Sequence, residues 1–369
     1  MINFSLKSKA SFFTFFLICS LSQAQDFKKV DSWLKSNLQE IGGRAALMIY
    51  KDGKVVYANN LNDLGRRQKM LANVIARRSG KEANIEDFSL TSRQPIASCS
   101  KWLSAALVMT FIDDGTLKLN DTVGKYLPVL SKAGKGKITI SECLSHTTGI
   151  KAPPLKESLA EMREVSSMDE AIEKIADLPM EGAPGKVFRY SNTGLQIAGA
   201  VIEKISGKSF ETLFQQRIAK PLDMKDTDFG KNKVSLPAGG AISTPHDYMN
   251  FLVMILNKGL YNGIRVLSAH SIAQMQVNRI SADVKVAYSP AEAGDSGYGF
   301  GEWVMQSSAK ENLSESVSSP GLFGSFPWVD NKNKYCAFLM TYYIRPEGRG
   351  ERYQELKSLV EESLNIKSR

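Results

Sequence analysis

The feature that most constrains this chain is Ser98-Cys99-Ser100-Lys101 and the apolar run behind it, from Trp102 to Ile112. That run is apolar almost all the way round a helical wheel, which suits a helix enclosed in a core rather than one with a solvent face. Positions i and i+3 share a helix face, so a helix starting near Ser98 sets the Ser98 hydroxyl beside the Lys101 amine. At a buried first turn, both desolvation and the positive end of the helix dipole disfavour the ammonium form. A neutral amine touching a serine hydroxyl is a nucleophile with its base attached, and it needs no histidine.

The tetrapeptide alone is cheap, since Ser32–Lys35 and Ser307–Lys310 also read Ser-x-x-Lys. Ser32–Lys35 lies on a polar amphipathic stretch that reads as a surface helix. Ser307–Lys310 falls in a Ser/Lys/Glu/Asn-rich stretch that reads as a loop. Only the copy at Ser98 has the extended lead-in Gln94-Pro95-Ile96-Ala97 and a core helix behind it.

Hydrophobic and charged residues make up 43% and 23% of the 369 residues, which excludes a disordered chain and allows a sizeable core. Lys7 and Lys9 precede the apolar stretch Ala10–Leu21, and Ser22-Gln23-Ala24 places small residues where cleavage occurs. Residues 1–24 therefore read as a secretory signal peptide cut after Ala24, leaving 25–369 as the mature, secreted or periplasmic chain. Cys19 follows Ile18 rather than a small residue, which argues against a lipid anchor. The apolar run is short for a membrane span, and no transmembrane segment is expected in the mature chain. Loss of the leader lowers the formal charge from +9 to +7, because Lys7 and Lys9 go and no acid does. Arg66, Arg67, Lys69, Arg77, Arg78 and Lys81 form a basic stripe. It reads as attraction to an anionic envelope or an acidic substrate or, more simply, as a solvated helix face. No nucleic-acid motif accompanies it. Cys99, Cys143 and Cys336 are too few and too widely spaced for a disulfide framework, so buried thiols are the simpler expectation.

Along the chain, Ala45–Tyr50 and Lys54–Ala58 flank an Asp52-Gly53 turn, a hairpin signal. Helical periodicity follows at 168–178, 193–205, 210–218, 245–257 and 269–277, and strand-like stretches return at 298–305, 324–329 and 335–343 before a last helix over 351–364. The expected architecture is α+β, with one antiparallel sheet assembled from both chain ends, flanking helices, and a helical subdomain inserted at roughly 110–265.

Several segments together resemble the serine β-lactamase and penicillin-binding-protein superfamily, in its class C β-lactamase-like esterase and peptidase branch. They are Ile96–Lys101, Asp114–Asp121, Leu144–Gly149, Phe188–Gly194 and Gly239–Pro245, and the resemblance runs over roughly residues 40–365. It implies a β-lactamase/transpeptidase-like fold and the superfamily's Ser-x-x-Lys motif at Ser98 and Lys101. It also implies a second motif, Tyr-x-Asn. Tyr57–Asn59 and Tyr248–Asn250 fit that spacing too, but only Tyr190-Ser191-Asn192 follows a Gly/Pro loop, Gly182–Gly185, and precedes a helix. By resemblance Tyr190 activates Ser98 or protonates the leaving group, and Asn192 positions substrate and Lys101.

At the third motif the chain departs from the family. A Lys or His is common there, and this chain has Ser319-Pro320-Gly321 followed by Leu322. Gly321 permits close backbone approach, the N–H groups of Ser98 and Leu322 are candidates for an oxyanion hole, and Ser319 has only a hydroxyl to offer a substrate carboxylate. Arg345 is a candidate replacement cation. His146 matches a segment read as structural, and His246-Asp247 lacks a nucleophile elbow to serve. The three histidines have no metal-ligand spacing, and no phosphate-binding glycine loop occurs, so no cofactor or metal is implied. The expected partner is a small-molecule or peptide substrate with an ester or amide bond, and oligomeric state is left open. The alternatives are a true class C β-lactamase or D-alanyl-D-alanine carboxypeptidase, and a non-catalytic β-lactam- or peptidoglycan-binding domain of the same fold.

Overall fold

The computed structural model describes residues 25–366 apart from 81, 231–232 and 308–313. The predicted signal peptide lies outside the described residues, as does Lys310.

Asp52 and Gly53, at φ 51° and 81°, close the predicted hairpin between β1 (Arg44–Lys51) and β2 (Lys54–Asn62). Successive positive φ values are what a two-residue turn needs to match the strand twist. The sheet is completed by five strands from the other end of the chain: β3 (Gly297–Tyr298), β4 (Trp303–Ser307), β5 (Ser314–Ser318), β6 (Phe326–Asp330) and β7 (Tyr335–Thr341). Their order is β2-β1-β7-β6-β5-β4-β3, antiparallel throughout, and β1 meets β7 in register from Ala45↔Thr341 to Lys51↔Tyr335. The α+β arrangement expected from the sequence is the one that forms.

Alternation along the strands gives the sheet two apolar faces. Leu47, Ile49, Trp328 and Leu339 pack under the terminal helices Lys28–Asn37 and Arg349–Ser363, which Trp33 and Glu355 join by a 2.8 Å hydrogen bond. Met48, Val317, Val329 and Phe338 face the helices of the chain's middle. There the helix Ser100–Asp113 is buried from Ser100 through Phe111. Two of its polar side chains bind one loop: Ala241 donates its N–H to Ser100 Oγ at 3.0 Å, and Ser104 Oγ donates to Pro237 O at 2.6 Å.

Two local expectations need correcting. The strand-like stretch 298–305 is two strands separated by a turn over 299–302. The strand β5, Ser-Glu-Ser-Val-Ser, carried no apolar alternation to announce it. Its serines are enclosed because their hydroxyls are satisfied locally, Ser318 Oγ donating to Pro327 O at 2.6 Å and Ser314 Oγ to Gln276 O. The turn over 299–302 matters for the site. Gly301 has φ 76°, and a Cβ there would sit 2.5 Å from Lys101 O and 2.6 Å from Ala105 Cβ. Replacing Gly301 by Ala should therefore lower stability by roughly 2–4 kcal/mol, from left-handed strain and overpacking against the buried helix. Equilibrium urea denaturation measures it, and an unchanged midpoint would show that the turn does not press on the helix.

Candidate active site

Ser98 lies in a short 3-10 turn, Ala97–Cys99, that leads into the buried helix. Ala97 is held at φ 46°, a conformation an L-residue adopts at a cost, so the surrounding packing dictates the turn. Gly321 closes on it from the sheet side: a Cβ on Gly321 would lie 2.4 Å from Ile96 O and 3.2 Å from Cys99 Sγ. Tyr248 Oη donates to Cys99 O at 2.8 Å from the core side.

Lys101 is buried, and its Nζ donates to Ala238 O at 2.8 Å and to Asn192 Oδ1 at 3.1 Å, with Ser98 Oγ 3.3 Å away. Burial brings its pKa from the ordinary 10.5 down to about 7. A neutral amine has two N–H bonds and one lone pair. With both hydrogens engaged by Asn192 and Ala238, the lone pair is left for the Ser98 hydroxyl. After taking a proton, the ammonium has three acceptors already in place.

Tyr190 follows a short strand, Val187–Arg189, and precedes the helix Thr193–Ser206, so it projects from a strand-to-helix connection. Its ring lies over Lys101, centroid to Nζ 4.8 Å, and it borders the same cavity as Ser98. Burial raises the phenol well above its usual range, so it stays protonated and is suited to donating a proton. Three aromatic rings box it in: Trp303 at 5.2 Å, Tyr298 at 5.9 Å and His146 at 4.9 Å between centroids. His146 is buried at φ 59°, 3.1 Å from Tyr298 Oη through Nε2, and burial holds its pKa well below normal. It acts on the site by packing, in keeping with a structural histidine.

These residues wall a cavity of about 950 Å³, bordered by Ser98, Tyr190, Asn192, Trp303, Gly321 and Leu322. Of the sequence-derived candidates, Ser98, Lys101, Tyr190, Asn192, Gly321 and Leu322 come together. Ser319 departs from expectation: it is buried outside the cavity lining, with Oγ 3.0 Å from Gly301 O and 3.3 Å from Ser98 O. Its hydroxyl is spent bracing the Ser98 turn and is not available to a substrate. Arg345 is exposed and does not line the cavity, whereas Arg349 does. The Arg349 guanidinium is already engaged, Nη2 donating to Arg345 O at 3.1 Å and Nη1 lying 3.6 Å from Glu292.

The competing motifs have other uses. Tyr57 and Asn59 both donate to Asp31, at 2.7 and 3.0 Å, and Asn250 donates to Leu222 O at 3.0 Å. Asp247, in the first turn of a helix capped by Thr244, accepts from Asp226 N at 2.7 Å and Thr227 Oγ1 at 2.9 Å, beside an exposed His246. Cys99, Cys143 and Cys336 are free, buried thiols. Neither the Ala238 carbonyl nor Trp303 stands out in the sequence, because a backbone acceptor leaves no side-chain signature and Trp303 reads as ordinary core.

Removing one ammonium acceptor should push the amine further below 7. In Asn192→Leu, lysine-selective NMR should find the Lys101 titration lower than in the unmodified protein. A midpoint near the ordinary lysine value in the unmodified protein would contradict the buried neutral amine.

The chain resembles known proteins over most of its length. Protein Rv1367c of Mycobacterium tuberculosis is 25% identical over 288 residues, 63% of this chain and 71% of that protein. The D-alanyl-D-alanine-carboxypeptidase/endopeptidase AmpH of Escherichia coli is 26% identical over 192 residues, 45% of this chain and 49% of AmpH. A solved β-lactamase-like protein of Bacteroides dorei superposes with a TM-score of 0.76 at 25% identity, covering 92% of this chain and 99% of the other, which establishes the β-lactamase/transpeptidase-like fold. The profile of the Beta-lactamase family matches residues 34–358, and the chain therefore belongs to that family, whose members are serine hydrolases.

Proposed function

We propose that this protein is an exported serine hydrolase that cleaves an ester or amide through a Ser98 acyl-enzyme. The observation that carries the reading is the Lys101 amine, with both hydrogens engaged by Asn192 and Ala238 and Ser98 Oγ 3.3 Å away. Ser98 Oγ attacks the carbonyl carbon while its proton passes to Lys101 Nζ. The N–H groups of Ser98 and Leu322 receive the oxyanion. The Tyr190 phenol protonates the leaving alkoxide or amine and regains a proton from the Lys101 ammonium. Water then enters, gives up a proton by the same route, and releases the acid and free Ser98. Export rests on the leader-like residues 1–24, and a chain recovered from the periplasm or medium should begin near Gln25.

Substrate class follows from the charges. Ser319 stands where a family cation is common and turns its hydroxyl away, Arg349 is balanced by Glu292 and Arg189 by Glu181, and Lys151, which also borders the cavity, is exposed to solvent. A charge-assisted hydrogen bond is worth ~1.5–3 kcal/mol, so substrates without a carboxylate beside the scissile bond should be favoured by about one to two orders of magnitude. Aryl esters or uncharged amides should exceed a chromogenic cephalosporin in kcat/KM. The similarity to AmpH supports D-alanyl peptides as the second class to assay. A cephalosporin preferred over every ester and amide would overturn this substrate reading.

For the mechanism, Ser98→Ala should abolish both fluorophosphonate labelling and hydrolysis, and Lys101→Ala should fall as far, because groups acting as one unit do not lose rate additively. Retained esterase activity in Ser98→Ala would exclude Ser98 as nucleophile. The base is the free amine, so kcat/KM should rise with pH through about 7. Tyr190→Phe should cost about 10²–10⁴-fold.

A further inference from the structure

Arg66, Arg67, Lys69, Arg77 and Arg78 of the basic stripe lie on the helix Arg66–Ser79, which is held at both ends, and Lys81 lies outside the described residues. Gly65 donates its N–H to Gln68 Oε1 at 2.8 Å, and Gly80, at φ 63°, donates to Ala76 O. Gln68 and Ala72 are half-buried and Ala76 is buried, so that side of the helix faces the protein. The other side is unusual. At about 100° per residue, Arg66, Arg77, Met70, Val74, Arg67 and Arg78 follow one another within about 120° of the helix surface. The four arginines are exposed, Met70 is 68% and Val74 41% exposed, and the helix contains no acidic residue. None of the four arginines has an ion-pair partner among the described residues.

We propose that this face docks the protein on an anionic phospholipid bilayer, the helix lying in the plane of the headgroups. Four guanidinium groups with no local counter-charge match lipid phosphates, and their aliphatic stems allow the charged ends to stay at headgroup level. Met70 and Val74, set between the arginine pairs, then leave water for the acyl boundary. Charge alone would fit any acidic polymer, but a polymer gives two exposed apolar side chains nothing to enter, and the helix has no aromatic ring to stack on bases. No helix among the described residues is long and apolar enough to cross a membrane.

The test is co-sedimentation of the full chain with vesicles of phosphatidylcholine alone and of phosphatidylcholine mixed with phosphatidylglycerol. The unmodified protein should pellet with the mixed vesicles more than with neutral ones, and the difference should shrink as salt is added. Changing Arg66, Arg67, Arg77 and Arg78 together to Glu should weaken binding to the mixed vesicles by at least about tenfold. Met70→Ser with Val74→Ser should weaken it severalfold while the arginines remain. Thermal unfolding of both variants should match the unmodified protein, since every altered side chain is exposed. If the arginine variant pellets as the unmodified chain does, another segment, such as residues 1–24, binds the lipid and the proposal fails. If the Met70/Val74 variant binds equally well, the face reads charge only and the bilayer assignment fails.

Discussion

The architecture of the cleft depends on one helix having no solvent face. Because Ser100 through Phe111 are all enclosed, the lysine on the first turn cannot send its amine to water and must find partners inside. It finds them in Asn192 from a neighbouring helix and in the carbonyl of Ala238. The loop carrying Ala238 is pinned to the same helix through Ser100 and Ser104, so the partner and the lysine are placed by one body. The acidity of Lys101 is thus a consequence of core packing, and the chemistry at Ser98 inherits its geometry from the interior.

The turn carrying Ser98 is shaped from three sides. Gly321 and Ser319 press on it from the sheet, Tyr248 reaches Cys99 from the core, and Gly301 fills the angle against Lys101. Ser319 gives the third motif a different meaning in this chain. A small residue whose hydroxyl turns to Gly301 and Ser98 tightens the scaffold and puts no cation at that position.

Much of this was readable from the sequence, for identifiable reasons. The hairpin at Asp52-Gly53 and the buried helix are local signals, one of turn chemistry and one of unbroken apolarity. The grouping of Ser98, Lys101, Tyr190 and Asn192 was legible only through the order of several segments, since each short motif recurs elsewhere in the chain. What stayed hidden depends on tertiary placement. The serine-rich strand Ser314–Ser318 is enclosed because its hydroxyls find acceptors, the carbonyls of Gln276 and Pro327 and the Gln306 side chain, and no pattern of apolar residues records that. Arg345 and Arg349 sit four residues apart, and only the turn into the last helix decides which of them borders the cavity. The Ala238 carbonyl, being backbone, has no residue type to betray it.

The buried amine also sets function against folding. In the unfolded chain Lys101 would keep its ordinary value of 10.5, against about 7 in the native protein. Between those values the unfolded state binds more protons, so the penalty on folding is full below pH 7 and is relieved as pH rises towards 10.5. At neutral pH it is on the order of 4 kcal/mol, a large share of the net stability of a domain. An apolar residue of similar length would remove that burden, and random mutation under selection for stability alone would replace this lysine early. On the proposed mechanism the lysine is kept for what its amine does, and a descendant freed from turnover would be expected to lose the lysine before it lost the fold.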